Sequence, residues 1–127
     1  MSVTRGIFDS FGFAVSGIRE AIQSEPNFKI HLGIAGFTFV LAYFLKFTIL
    51  EWLLLTSVIS FVLVLELINT SLEAIVDLVS PEVRVKAKIA KDVAAASVLI
   101  ASTFATPAGI LLIIPKILAL VLGFYNW

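Results

Sequence analysis

The sequence predicts an all-α membrane protein, a single domain with one N-terminal amphipathic surface helix and three transmembrane helices. Three observations carry this. The 127 residues are 60% apolar and 14% charged, with a mean hydropathy of +1.07, whereas a soluble domain is about 45–50% apolar and about 25% charged. Residues 32–45, 52–65 and 93–115 contain no charge. Ahead of them, apolar residues recur at helical spacing among charges. A chain this short leaves much of its surface exposed, so this composition excludes an ordinary soluble globule and a disordered chain.

Residues 1–28 form the first element. Phe8, Phe11, Val15, Ile18 and Ile22 are spaced 3, 4, 3 and 4, with Asp9, Ser16, Arg19, Glu20 and Gln23 on other faces. That is an amphipathic helix lying on the cytoplasmic surface of the bilayer. Its charges leave no continuous apolar core, so it is not a cleavable signal peptide. A spanning helix needs about 20 mostly apolar residues, which extends the charge-free stretches to spans near 30–48, 51–79 and 92–114. Residues 46–51 hold no Gly, Pro or Asn and so lack a turn signal, yet one continuous helix would far exceed the bilayer. A hairpin is therefore expected there. Pro107 is expected to be tolerated in the third span, kinking it.

Arg5, Arg19, Lys29, Arg84, Lys86, Lys88 and Lys91 precede the first span or lie between the second and third, while Lys46 and Lys116 fall on the other side. This asymmetry puts the N-terminus and the 80–91 loop in the cytoplasm. Trp52 and the group Phe124, Tyr125 and Trp127 then anchor the outer interface as an aromatic belt. Nine basic and nine acidic residues give zero net charge, so no basic field exists for nucleic acid. Without cysteine there is no disulfide, thiolate nucleophile or zinc–sulfur site.

Chemistry shows on the second span. Glu66, Asn69, Glu73 and Asp77 are spaced 3, 4 and 4, within an arc of roughly 80° at 100° per residue. Thr70 shares that face, and the intervening residues are largely apolar. Glu66 should lie roughly 22 Å along the helix, inside a hydrocarbon core of about 30 Å. An acid there costs about 2.5–3.5 kcal/mol or more unless paired or protonated, which makes it a functional candidate. Magnesium is held by one or two carboxylates together with phosphates, and a carboxylate near the boundary suits a lipid hydroxyl as general base. Lys91 and Asp92 add a cation and an acid at the start of the third span. These are the parts that phosphoryl transfer needs, although neither GxxxxGK[ST] nor GxGxxG occurs.

Glu66-Leu-Ile-Asn-Thr-Ser-Leu-Glu-Ala-Ile-Val-Asp77 resembles the signature of the prokaryotic diacylglycerol kinase family, E-x-[hydrophobic]-N-[ST]-[SA]-[hydrophobic]-E-x-x-V-D, at every fixed position. Ser24-Glu-Pro-Asn-Phe-Lys-Ile-His31 and Ala87-Lys-Ile-Ala-Lys-Asp-Val-Ala-Ala-Ala96 resemble two further stretches of the family, in the same order. The resemblance implies an ATP- and magnesium-dependent lipid kinase of the bacterial inner membrane, a homotrimer with composite sites. It implies Glu66 as general base, Glu25 and Glu73 as metal ligands, and Asn69, Lys91 and Asp92 at the nucleotide and catalytic centre. Asp77 fills the last acid of the signature. Phe13 stands where some members have Tyr, and Ile89 where some have Arg. Two stretches look closer to the Gram-positive branch, whose members often phosphorylate undecaprenol rather than diacylglycerol. His31, the single histidine at a helix entry, reads as an interfacial residue rather than a catalyst.

Two other classes compete. In a small oligomeric cation channel the acids would line a pore, yet 52–65 offers only Thr56, Ser57 and Ser60. A purely structural membrane subunit leaves the cost of Glu66 without an account.

Overall fold

The computed structural model describes residues 6–82 and 84–123. Four helices follow in order: α1 (Ile7–Ser24), α2 (Pro26–Phe44), α3 (Ile49–Val79) and α4 (Val85–Val121). No strand occurs among the described residues. The last three helices are long and apolar enough to cross a membrane. Arg5, Phe124, Tyr125 and Trp127, used above for orientation and the outer belt, lie outside the described residues.

Pro26 sets the break between α1 and α2. Proline has no N–H to donate and pushes the preceding residue out of the α region. Glu25 accordingly sits at φ −107°, ψ 106°, caps α2, and donates its own N–H to the Ala21 carbonyl at 3.0 Å. The first spanning helix thus begins at Pro26 rather than near residue 30, and the N-terminal helix ends at Ser24 rather than 28. Along α1, Phe8, Phe11, Val15 and Ile18 are exposed and Ala21 is buried.

The hairpin between α2 and α3 is closed without glycine. Lys46 takes up the left-handed conformation at φ 50°. Its N–H donates to Tyr43 O at 3.1 Å, and the Phe47 N–H donates to Ala42 O at 3.2 Å. That pair of bonds is a Schellman motif, with Lys46 where glycine is usual. Thr48 then opens α3 with a capping box: Glu51 N–H donates to Thr48 Oγ1 at 3.3 Å, and Thr48 N–H donates to Glu51 Oε2 at 2.7 Å.

Phe47 is buried with Ala42, Leu45 and Leu55. Trp52 stacks on Phe39 at 6.0 Å between centroids and meets Phe47 edge-on at 6.1 Å. Trp52 is therefore half-buried in the hairpin packing, not an interface anchor alone. Lys116 of α4 closes this end, with Nζ 2.8 Å from Glu51 Oε2 and 5.4 Å from the centre of the Phe47 ring.

Helix α4 packs along α3 as the main pairing of the fold, while α2 lies against α3 and α1 touches both α2 and α3. Its 37 residues reach roughly 55 Å at 1.5 Å per residue, well beyond a core of about 30 Å. It starts at Val85 rather than near 92, so Lys86, Lys88 and Lys91 are helical rather than in a loop. It also runs through Pro107 and Pro115 to Val121, seven residues past the expected end at 114. The helix remains one element through both prolines, as membrane helices permit.

Candidate functional site

The polar face of α3 meets α2 and α4 near one end of the bundle. Glu66 and Asn69 are its two buried polar residues, at 4% and 9% exposure. The Glu66 Oε1 atom lies 3.2 Å from Nε2 of His31 on α2. One turn further along α3, Asn69 Nδ2 donates to Glu73 Oε1 at 3.2 Å and so holds that carboxylate. Asn69 Oδ1 is buried with no hydrogen-bond partner. A buried acceptor of this kind carries a desolvation cost of about 1–3 kcal/mol, and a bound donor would relieve it. Thr70 is satisfied within its own helix, its hydroxyl donating to the Glu66 carbonyl at 3.0 Å.

Lys91 crosses from α4 to α3 and donates to both oxygens of Asp77, at 2.9 and 3.1 Å. Glu25, at the α1–α2 corner, and Glu73 both lie within Coulombic reach of Lys91 and of Glu66. Four elements thus bring Glu25, His31, Glu66, Asn69, Glu73, Asp77 and Lys91 into one polar cluster. Asp92 is engaged differently. It accepts from Lys88 at 3.2 Å one helical turn back, on an exposed face.

Magnesium fits the donor set. Among the described residues no three or more His, Asp or Glu side chains form a metal cage. A metal that arrives on nucleotide phosphate needs only one or two protein carboxylates, a number that Glu25 and Glu73, both near Glu66 and Lys91, would supply. The orphaned Asn69 Oδ1 also suits a donor such as a metal-bound water.

An apolar groove of about 420 Å³ runs between α2, α3 and α4 and has His31 in its wall. Leu55, Val62, Ala105 and Ile113 are among its lining residues. Three hydroxyls also line it, but each donates along its own helix: Thr38 to Ile34 O at 2.7 Å, Ser102 to Val98 O at 2.7 Å and Thr106 to Ser102 O at 2.9 Å. The surface left to an occupant is hydrocarbon-like.

Two pairings are absent from the sequence reading. His31, expected at the interface, is turned inward onto Glu66, and Asp77 holds Lys91. Neither has a local signal, because each joins residues on different helices and depends on their relative register. The stripe Glu66, Asn69, Glu73 and Asp77 carried half of each pair.

The family model for prokaryotic diacylglycerol kinase matches residues 12–113. The undecaprenol kinase of Bacillus subtilis is 34% identical over 110 residues, covering 87% of this chain and 89% of that protein. The diacylglycerol kinase of Synechocystis is 39% identical over 121 residues, 93% of this chain and 68% of that protein. The diacylglycerol kinase of Helicobacter pylori (strain 26695) is 37% identical over 100 residues, 79% and 78% of the two chains. Both the matched span, which holds the whole polar cluster and nearly all of its groove, and the extent of these identities show that the chain belongs to the prokaryotic diacylglycerol kinase family.

Proposed function

We propose that this lipid kinase transfers the γ-phosphate of ATP to the hydroxyl of diacylglycerol, forming phosphatidic acid. The observation that carries the reading is a buried carboxylate, Glu66, beside His31 in the wall of an apolar groove, with carboxylates and an ammonium group just beyond it. The groove takes the lipid tail and leaves the headgroup hydroxyl at Glu66. Glu66 accepts the hydroxyl proton as the lipid oxygen bonds to the γ-phosphorus. The bond from that phosphorus to the bridging oxygen breaks, and ADP leaves with its electron pair. The proton then passes from Glu66 to water.

Glu25 and Glu73 would hold magnesium together with the ATP phosphates, and Asn69, which donates to Glu73 Oε1, keeps that carboxylate in place. Magnesium, when bound, neutralises phosphate charge and so lowers the repulsion met by the incoming oxygen. Lys91, steadied by Asp77, adds a cation for the phosphates, and Asp92 contributes at the nucleotide edge. The site faces the cytoplasm, where ATP is available, in the bacterial inner membrane. The helix α1 lies on that surface through Phe8, Phe11 and Val15.

Three spans hardly enclose both a nucleotide and a headgroup, so the working form is a homotrimer with sites shared between subunits. A second acceptor is favoured by the Bacillus subtilis relative: undecaprenol, yielding undecaprenyl phosphate. Both lipids present one primary hydroxyl on a long apolar tail, and beyond His31 the groove's polar side chains are three hydroxyls already donating along their own helices, which do not tell the two apart. The test supplies the purified protein with labelled ATP and each lipid in mixed micelles. Transfer to diacylglycerol is expected. No transfer to either lipid by folded protein would overturn the reading.

A further inference from the structure

Glu66 sits 4% exposed on a membrane-spanning helix, where a carboxylate without a partner is costly. Among the described residues its ion-pair contact is with His31 Nε2, 3.2 Å from Oε1. The contact comes from another helix and uses one carboxylate oxygen. His31 also lines the apolar groove, so one ring touches both the carboxylate and the path of the lipid tail. It lies six residues beyond Glu25 on a continuous helix, roughly 9 Å along the axis. The corner that carries Glu25 and the ring that meets Glu66 therefore move as one body.

We propose that His31 is a positioning residue for phosphoryl transfer: it pins Oε1 of Glu66 and leaves Oε2 as the single oxygen facing the lipid hydroxyl. The proposal rests on Glu66 being the base. A glutamate alone has three side-chain torsions to sample, and a reacting group displaced by about 1 Å loses on the order of 10²-fold in rate. A third group that orients the base is the usual remedy. The proton balance is unchanged, since the hydroxyl proton goes to Oε2 and His31 neither gains nor loses one overall.

The test uses the full-length protein in lipid micelles. His31→Leu, of similar bulk but without a ring nitrogen, is expected to lower kcat about 10–10²-fold while KM for magnesium-ATP stays within about twofold. His31→Gln, whose amide N–H reaches about as far as Nε2, should recover most of the loss. Adding His31→Leu to Glu66→Gln should cost nothing further, because the orienter has no base left to orient. Should His31→Leu fail to assemble, His31→Ser carries the same expectation, since it keeps a polar group yet cannot span to Glu66. Full kcat in a folded His31→Leu or His31→Ser protein would overturn the proposal while leaving Glu66 as base. So would an equal further loss in the Glu66→Gln background, or no recovery with glutamine. Undiminished activity in Glu66→Gln itself would instead remove the base, and this proposal with it.

Discussion

At Glu66 a carboxylate has been taken almost wholly out of water, and the surrounding residues define what it can do. Its contact is an imidazole at 3.2 Å, not a lysine or arginine, so it is not neutralised by a permanent cation. Glu66→Gln preserves shape but accepts no proton. It should keep folding and nucleotide binding while losing about 10²–10⁴-fold in transfer, read as initial rate with labelled ATP. Loss of assembly in that variant would assign Glu66 a structural role instead. Glu25 and Glu73 make a different claim. Glu25→Gln and Glu73→Gln each remove a hard oxygen ligand, so the magnesium concentration for half-maximal activity should rise in both. An unchanged magnesium titration would contradict the assignment.

Among the elements, the α2–α3 hairpin most clearly departs from its sequence signals. Lys46 holds φ 50°, a region that costs a residue with a Cβ roughly 1–2 kcal/mol. Lys46→Gly should therefore stabilise the fold by up to about 1 kcal/mol, once the extra freedom of the unfolded chain is subtracted, and so raise the thermal midpoint. The opposite sign is expected two residues on. Thr48→Ala removes the acceptor for the Glu51 N–H and should cost about 1 kcal/mol. Differential scanning of both variants in detergent checks the pair. Thr48-x-x-Glu51 is a capping signature visible in the sequence, whereas the left-handed lysine is not, because only closure of the two helices demands it. Pro26 is the reverse case, a local residue that alone breaks α1 from α2.

For the whole molecule, one chain leaves large apolar side chains such as Phe37, Phe61, Phe104 and Leu111 exposed, for lipid or other copies to cover. The proposed composite site makes a specific demand on assembly. Glu66→Gln and Lys91→Ala lie on different helices and are each expected to be inactive alone. Asp77, the partner that Lys91→Ala abandons, is well exposed and keeps its hydration, so folding should survive. Once tagged chains are shown to exchange, mixtures of the two variants should regain partial activity, because some trimers hold one intact site. Mixtures that stay inactive at every ratio would place both residues in the same subunit's site.

Local sequence alone dictates the class of molecule and marks the candidates for its reactive groups. Composition and charge-free length dictate spanning helices, since backbone polar groups in lipid must be satisfied within the segment. The spacing of Glu66, Asn69, Glu73 and Asp77 puts them on one face whatever surrounds them, because the helical period is local. Tertiary structure alone decided the partners of those groups. His31 meets Glu66 and Lys91 meets Asp77 only because α2 and α4 pack on α3 in one register. The far ends of α4 were likewise undecided: charges at 86–92 and proline at 115 are local signals to stop, and the helix passes both. Packing against α3, together with water beyond the membrane boundary to solvate the charged turns, outweighs them.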